Sequence, residues 1–245
     1  MPQPASPELR RDLPAAVGPA AAKVALVHPR STPDRVADAI SKGILVRRYT
    51  VGQRLIEADL TRELGVGRST VREALRILAS SGVVELTPHR GAVIRALTRD
   101  DAASLLGVLE VLSGLAARLA ATHIHRPGNA QRFEAAASRL VRARTPETLD
   151  QILDERATYY QVMFDIADSG ELNRVLPAAR AHLFRAQFYH SLTGADLRAM
   201  VAEYRGISEA ILAGDPAKAE SRMRRHIQKS GERTLPRMAT FPLHG

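Results

Sequence analysis

The chain of 245 residues contains no cysteine. That absence removes disulfide frameworks, thiolate zinc sites and cysteine nucleophiles together, and it leaves the redox compartment unmarked. Long apolar runs are missing too. Leu13 to Val27 comes closest to a targeting segment, with Arg10 and Arg11 before it, but Pro14, Gly18, Pro19 and Lys23 interrupt it. No other stretch is expected to reach the roughly 18 to 20 apolar residues that span a bilayer. The expectation is therefore a cytoplasmic chain with no membrane partner. The sequence also lacks a Gly-rich phosphate loop, a nucleophile elbow and a metal-binding His-Glu motif, and its Ser, His and Asp residues follow no catalytic pattern. Neither a catalytic residue nor a cofactor is expected, and no internal repeat is visible.

Hydrophobic residues make up 45% of the chain and charged residues 25%, the balance of a packed globular protein, and the length suits one large domain or two ordinary ones. Lys and Arg total 35 against 26 Asp and Glu, a net +9, which points to an anionic partner such as nucleic acid or an acidic membrane. The excess is uneven. Residues 33 to 99 hold 12 Arg and Lys against 7 Asp and Glu, more than half of the surplus in little over a quarter of the chain.

Residues 1–30, rich in Pro and Ala, carry no helical or strand period and read as a tail. Thr32-Pro33 is a helix start, followed by an apolar stripe of Val36, Ile40, Ile44 and Leu45 that Gly52 is expected to break. Glu57 to Leu64 supplies a short second helix, and Gly65-Val66-Gly67 turns the chain. Ser69 to Ala79 forms a third helix, with Val71, Leu75 and Leu78 inward and Arg68, Arg72 and Arg76 on another face. Gly82 ends it. Val83 to Leu86 and Ala92 to Arg95, joined by Thr87-Pro88-His89-Arg90-Gly91, read as a hairpin.

From Thr98 onward the pattern is helical, with almost no β-branched runs. Thr98 with Asp101 makes a capping-box signal for a Leu- and Ala-rich helix that Arg126-Pro127-Gly128 stops. Thr145-Pro146, Thr193 with Asp196, and Asp215-Pro216 repeat this start grammar, so about six helices are expected, with breaks near 128, 145, 170, 193 and 214. The fold expected is mainly α: a winged helix-turn-helix of three helices plus a β-hairpin over 31–96, an all-helical bundle over 97–235, and a tail over 236–245.

Two short helices joined by a Gly turn, the second with Arg at one-turn spacing, suit the DNA major groove. Arginine's planar fork matches both phosphate oxygens and the O6/N7 edge of guanine, and Ser69 and Thr70 can donate to nearby phosphates. An isolated basic helix is more often a solvated face, and Arg68, Arg72 and Arg76 could be one, paired with Glu73. The Gly turn, the positive balance and a hairpin tipped by His89, Arg90 and Gly91 agree instead on DNA.

Leu60-Thr61-Arg62-Glu63-Leu64-Gly65-Val66-Gly67-Arg68-Ser69-Thr70-Val71-Arg72-Glu73-Ala74-Leu75-Arg76 closely follows the signature of the GntR family, and residues 33–95 resemble its winged helix-turn-helix. The helical remainder resembles the FCD effector domain of the FadR subfamily, through Leu112 to Ala121, Glu203-Tyr204-Arg205, Ala213-Gly214-Asp215 and Arg224-Arg225-His226-Ile227. The resemblance implies a homodimer that binds a short inverted repeat in double-stranded operator DNA. Arg68 and Arg72 match the family's DNA-contacting arginines, and Ser69, Thr70, His89 and Gly91 its supporting contacts. Ala58 stands where some relatives carry another such Arg.

Many FCD domains hold a divalent metal through an Asp and three His, and the metal grips a carboxylate effector. The matching positions here are Arg156, Tyr160, Tyr204 and His226. One imidazole cannot hold such an ion, and Arg156 would bring a permanent cation to its place, so no metal is expected. Either Arg156 replaces the metal charge, gripping an acidic or acyl effector with Tyr160, Tyr204 and His226, or these residues only pack and the pocket is lost. Leu109 and Ser113, where relatives carry Arg and Glu, favour an apolar ligand. His123, His125, His182 and His190 read as ordinary surface or core histidines. The competing functional class is a DNA-compacting protein without sequence choice, which would lack the roughly 10³-fold operator preference of a regulator.

Overall fold

The computed structural model describes residues 31–87, 91–142, 149–188 and 191–238. The expected tail over 1–30, the helix start at Thr145-Pro146, and residues 239–245 lie outside the described residues. Helix α1 (Thr32–Leu45) is capped by Ser31 rather than Thr32: the Ser31 hydroxyl accepts from the Asp34 amide at 3.2 Å, and the Asp34 carboxylate accepts from the Ser31 amide at 3.1 Å. This register puts Pro33 in the first turn, where a missing N–H costs nothing, and an acid three residues after the cap. The helix stops at Leu45, well before Gly52. Gly52, at φ 80°, instead turns the chain into a short strand β1 (Arg54–Leu55) that no sequence period reveals.

Helix α2 (Glu57–Leu64) ends in a left-handed Gly65, helix α3 (Arg68–Ser80) follows, and strands β2 (Val84–Thr87) and β3 (Gly91–Ile94) form the wing. The sheet is antiparallel in the order β1-β3-β2, with Leu55 opposite Ala92 and Thr87 opposite Gly91. Gly91 sits at φ 90°, and a Cβ there would stand 2.1 Å from the Leu55 carbonyl oxygen, so the close approach of β1 alone demands a glycine. Ile40, Ile44, Leu60, Val71, Leu75, Leu78, Val84 and Ile94 form the core beneath the sheet.

The remainder comprises α4 (Arg99–His123), α5 (Asn129–Arg142), α6 (Leu149–Ala167), α7 (Gly170–Val175), α8 (Ala178–Phe188), α9 (Gly194–Leu212), α10 (Pro216–Thr234) and a 3₁₀ turn at Leu235–Arg237. Thr98 with Asp101, Thr193 with Asp196, and Asp215 cap their helices as the sequence indicates. The single helix expected between residues 170 and 193 is two. Pro177 cannot donate to a helical ladder and holds Leu176 extended, so α7 ends there and α8 begins anew. Ordered packing continues to Met238, with Arg237 bonded to Asp196 at 2.7 Å.

Contrary to the sequence expectation, α4 is long and apolar enough to cross a bilayer by length and composition, with a window of mean hydropathy 1.6. Half of that window is buried in this fold, because α4 is the central helix, packed against α6, α8, α9 and α10.

Head and bundle share side chains. Leu105 and Leu109 of α4, Phe184 and Phe188 of α8 and Ile227 of α10 join the core of the winged helix. The Gln187 side chain accepts from the Leu97 amide at 2.9 Å and donates to the Leu97 carbonyl at 3.0 Å, and His182 Nδ1 lies 3.1 Å from Ser41 Oγ on α1. Truncating Phe188, whose ring lies 5.1 Å from that of Phe184, is expected to cost about 3–5 kcal/mol, read from the urea midpoint of Phe188→Ala.

Candidate DNA-reading face and effector site

Helix α3 buries Val71, Ala74, Leu75 and Leu78 and turns Arg68, Ser69, Arg72 and Arg76 to solvent, with Thr70 half-buried beside them. Its N-cap is Gly67, no side chain caps its first turn, and no acid lies there, so its leading amides and dipole favour phosphate. Arg72 is not loose: its Nε and Nη2 donate to the two carboxylate oxygens of Glu57 on α2, at 3.3 and 3.1 Å. Arg76 pairs with Glu73 at 3.2 Å, as a solvated face would, while Arg68 carries no ion pair among the described residues. Ala58 is exposed at the start of α2. Gly91 is tied to the backbone geometry of the wing; His89 and Arg90 lie outside the described residues.

The four residues matched to the effector site converge. Arg156 and Tyr160 come from α6, Tyr204 from α9 and His226 from α10, and all four are buried. The Arg156 Nε donates to the Tyr204 hydroxyl, the Tyr204 hydroxyl lies 3.1 Å from His226 Nε2, and His226 Nδ1 lies 2.8 Å from the Glu203 carboxylate. Glu203 in turn accepts from Arg233. The carboxylate at Nδ1 selects the tautomer with its proton there, leaving Nε2 to accept from Tyr204. The Tyr160 hydroxyl donates to the Met223 Sδ at 3.8 Å, and its ring lies edge-on to Tyr204, with ring centroids 6.2 Å apart.

The electrostatics follow the same chain. Burial pulls the His226 pKa down to about 4 against the opposing pull of Glu203, so the imidazole is neutral near pH 7. Burial pushes Glu203 up, but its bonds to His226 and Arg233 outweigh this and hold it at about 2. Burial raises the Tyr204 hydroxyl well above its ordinary value.

This donor set does not fit a divalent metal. Both nitrogens of its one imidazole are engaged, and the Arg156 guanidinium lies on the tyrosine hydroxyl that would have to turn inward. Among the described residues no group of three His, Asp or Glu is arranged to hold a metal. His123 Nδ1 lies 3.1 Å from the Ile166 carbonyl, His125 packs on Gly214, and His182 meets Ser41, all contacts of packing; His190 lies outside the described residues. Leu109 belongs to the core shared with the winged helix, away from the Arg156 cluster.

The sequence reading missed Glu57, Glu203, Arg233 and Arg185. Arg233 could have been found, since it lies two helical turns after His226 and so on the same face of α10. Glu57 and Arg185 reach their partners only through tertiary packing.

A three-helix head with a wing, whose second short helix exposes arginines, joined to a helical bundle with a buried polar cluster, defines a winged helix-turn-helix regulator. Residues 32–94 match the profile of bacterial regulatory proteins of the gntR family, and residues 104–229 match the FCD domain. The chain belongs to the GntR family, in its FadR-like arrangement with an FCD domain. A Mycobacterium tuberculosis HTH-type transcriptional regulator is 30% identical over 221 residues, covering 82% of this chain and 89% of that one. A protein of Paenarthrobacter nicotinovorans, named as a probable D-xylose utilization operon transcriptional repressor, is 28% identical, covering 79% of this chain and 84% of its own. Among solved structures, McbR/YncC of E. coli superposes with TM-score 0.70 at 18% identity, over 82% of this chain and 95% of that chain. A GntR regulator of Rhodococcus sp. RHA1 superposes with TM-score 0.65 at 19% identity, over 86% and 100%. The relatives are transcription regulators, a class distinct from enzymes.

Glu57→Gln removes the acid that competes for Arg72, so affinity for arbitrary duplexes should rise more than affinity for a selected operator, narrowing the ratio between them in paired binding titrations. Acid should also destabilise the fold. His226 and His182, the latter lowered to about 3 by burial with Arg185 and Lys42 nearby, both have folded pKa values below the ordinary 6.5. The unfolded chain therefore takes up their protons first. Stability is complete above about pH 6.5 and falls by up to about 1.4 kcal/mol per pH unit for each histidine as pH drops toward 4, with Glu203 adding to the loss below about 4.5. Urea unfolding between pH 7.5 and 4.5 reads this slope, and a flat profile would contradict it.

Proposed function

We propose that the chain is a cytoplasmic, ligand-responsive repressor whose homodimer binds a short inverted repeat of operator DNA. In this reading 31–96 is the DNA-reading head and 97–235 the effector-binding and dimerising domain. Arg68, Ser69, Thr70, Arg72 and Arg76 face the major groove, and His89, Arg90 and Gly91 follow the adjacent minor groove. A small carboxylate or acyl metabolite binds at Arg156, Tyr160, Tyr204 and His226. The observation that carries the effector half is the buried guanidinium of Arg156, a fixed positive charge among aromatic rings at a position that the FCD resemblance assigns to a metal ligand. Exposed Val108 and Val111 on α4 favour a second copy as the partner of that helix.

Chemically, the cluster needs no proton transfer. Arg156 supplies charge and two-point hydrogen bonding for an anion, and Tyr160 offers a hydroxyl. The ordered chain from His226 to Arg233 fixes where Tyr204 can turn. A ligand that engages Arg156 takes it from Tyr204, and the change reaches the head through α4 and α8, whose side chains contribute to its core.

The test selects an operator from random duplexes, then titrates it with the protein alone and with a panel of carboxylates and acyl thioesters. Expected are a preference of at least about 10³-fold over unselected DNA and release by an anionic ligand, with the release abolished in Arg156→Gln. Equal binding to every duplex would favour the DNA-compacting reading; a selective protein that no ligand releases would mean the effector site is lost.

A further inference from the structure

Helix α8 brings a second guanidinium to the cluster. The Arg185 guanidinium carbon lies 5.1 Å from the centroid of the Tyr160 ring, and that of Arg156 lies 5.6 Å from the same centroid. Two like charges are thus gathered on one aromatic ring. Arg185 is half-buried, and no oxygen among the described residues accepts a hydrogen bond from it. The face of a tyrosine attracts a cation, but it does not replace the hydrogen bonds that a guanidinium's five donors form in water. The crowding is visible in the acid-base balance of the side chain: burial, and then the charge of Arg156, lower Arg185 to about 10. Tyr160 and Tyr204 offset only part of this cost for Arg185, and an anion would offset more.

We propose that Arg185 is an effector-contacting residue and that, together with Arg156, it makes the site select small dianions, such as a dicarboxylate or a phosphate monoester, over monoanions of the same size. The inference rests on the effector reading of Arg156 and adds the ligand's charge class and its point of leverage. Arg185 belongs to the helix whose Gln187 grips both backbone groups of Leu97 and whose His182 meets Ser41 of α1. A dianion drawing Arg185 toward Arg156 pulls on that helix, and α8 passes the movement to the linker and to the first helix of the head. A monoanion satisfied by Arg156 alone leaves α8 where it was. The ligand's second charge is therefore the one that counts for DNA release.

Calorimetric titration of the full chain with succinate, butyrate and glycerol 3-phosphate tests this. The wild type should bind at least one dianion ten or more times more tightly than butyrate, with succinate against glycerol 3-phosphate separating dicarboxylate from phosphate. Arg185→Gln should bring that dianion and butyrate to equal affinity, and without ligand it should melt no lower than the wild type. Arg185→Lys, which keeps the charge but loses the planar fork, should weaken the dianion severalfold and leave butyrate unchanged. Gln187→Ala should bind the dianion normally yet no longer release DNA in response to it. If Arg156→Gln loses all three ligands while Arg185→Gln keeps the dianion preference, Arg185 has no role in binding and the Arg156 reading stands. If the wild type binds butyrate as tightly as the dianions, the charge selection is wrong; if it binds none of the three, both readings fall.

Discussion

A guanidinium inside an apolar helical bundle is the constraint around which the C-terminal half is organised. Desolvating a charge costs several kcal/mol unless hydrogen bonds and neighbouring dipoles replace the lost water. Arg156 meets that demand with the Tyr204 hydroxyl and two aromatic faces. Each group so recruited then needs its own partner, and the demand passes along α9 and α10 through His226 to Glu203 and out to Arg233 near the surface. A cationic Arg156 at one end, the ionised Glu203–Arg233 pair at the other, and neutral Tyr204 and His226 between them give the chain one sensible set of proton positions. The aromatic rings of Tyr159, Tyr160, Tyr204 and Phe133 lock around it.

The head solves a different problem. It must keep a cationic surface ready for DNA on a small core, and it does so by building α3 with apolar residues at helical spacing on one side only. The sheet that carries the wing holds together because Gly91 lets β1 come close to β3. Its core is completed by side chains from α4, α8 and α10, so the head is buttressed by the same helices that enclose the polar cluster.

Much of this was legible in the sequence, for identifiable reasons. Capping boxes at Thr98 and Thr193, the Asp215-Pro216 start and the Arg-bearing third helix are local signals, and local signals survive folding. The site residues Arg156, Tyr160, Tyr204 and His226 were reached through resemblance, and they do come together in space. What escaped was set by tertiary contact. Strand β1 is two residues long and exists only because β3 offers it partners. Pro177 was a breaker in plain view, yet the helix on either side of it seemed one because the residues around it lack a clear apolar period. Apolar content alone misjudged α4, whose long hydropathic window is the signature of a central core helix rather than of polar patterning. Glu57, Glu203 and Arg185 lie far in sequence from the groups they serve, so no spacing rule could have found them.

The clasp between Glu57 and Arg72 bears on time as well as on affinity. On a duplex that offers no well-placed acceptor, the guanidinium has a carboxylate about 3 Å away to return to, and the encounter ends quickly. In the proposed role of Arg72 as a DNA contact, the acceptors of a matching site would outcompete the carboxylate and lengthen the stay. In that proposed role, an acid that weakens every individual grip would trade tight but mistaken landings for many brief ones, and so shorten the search.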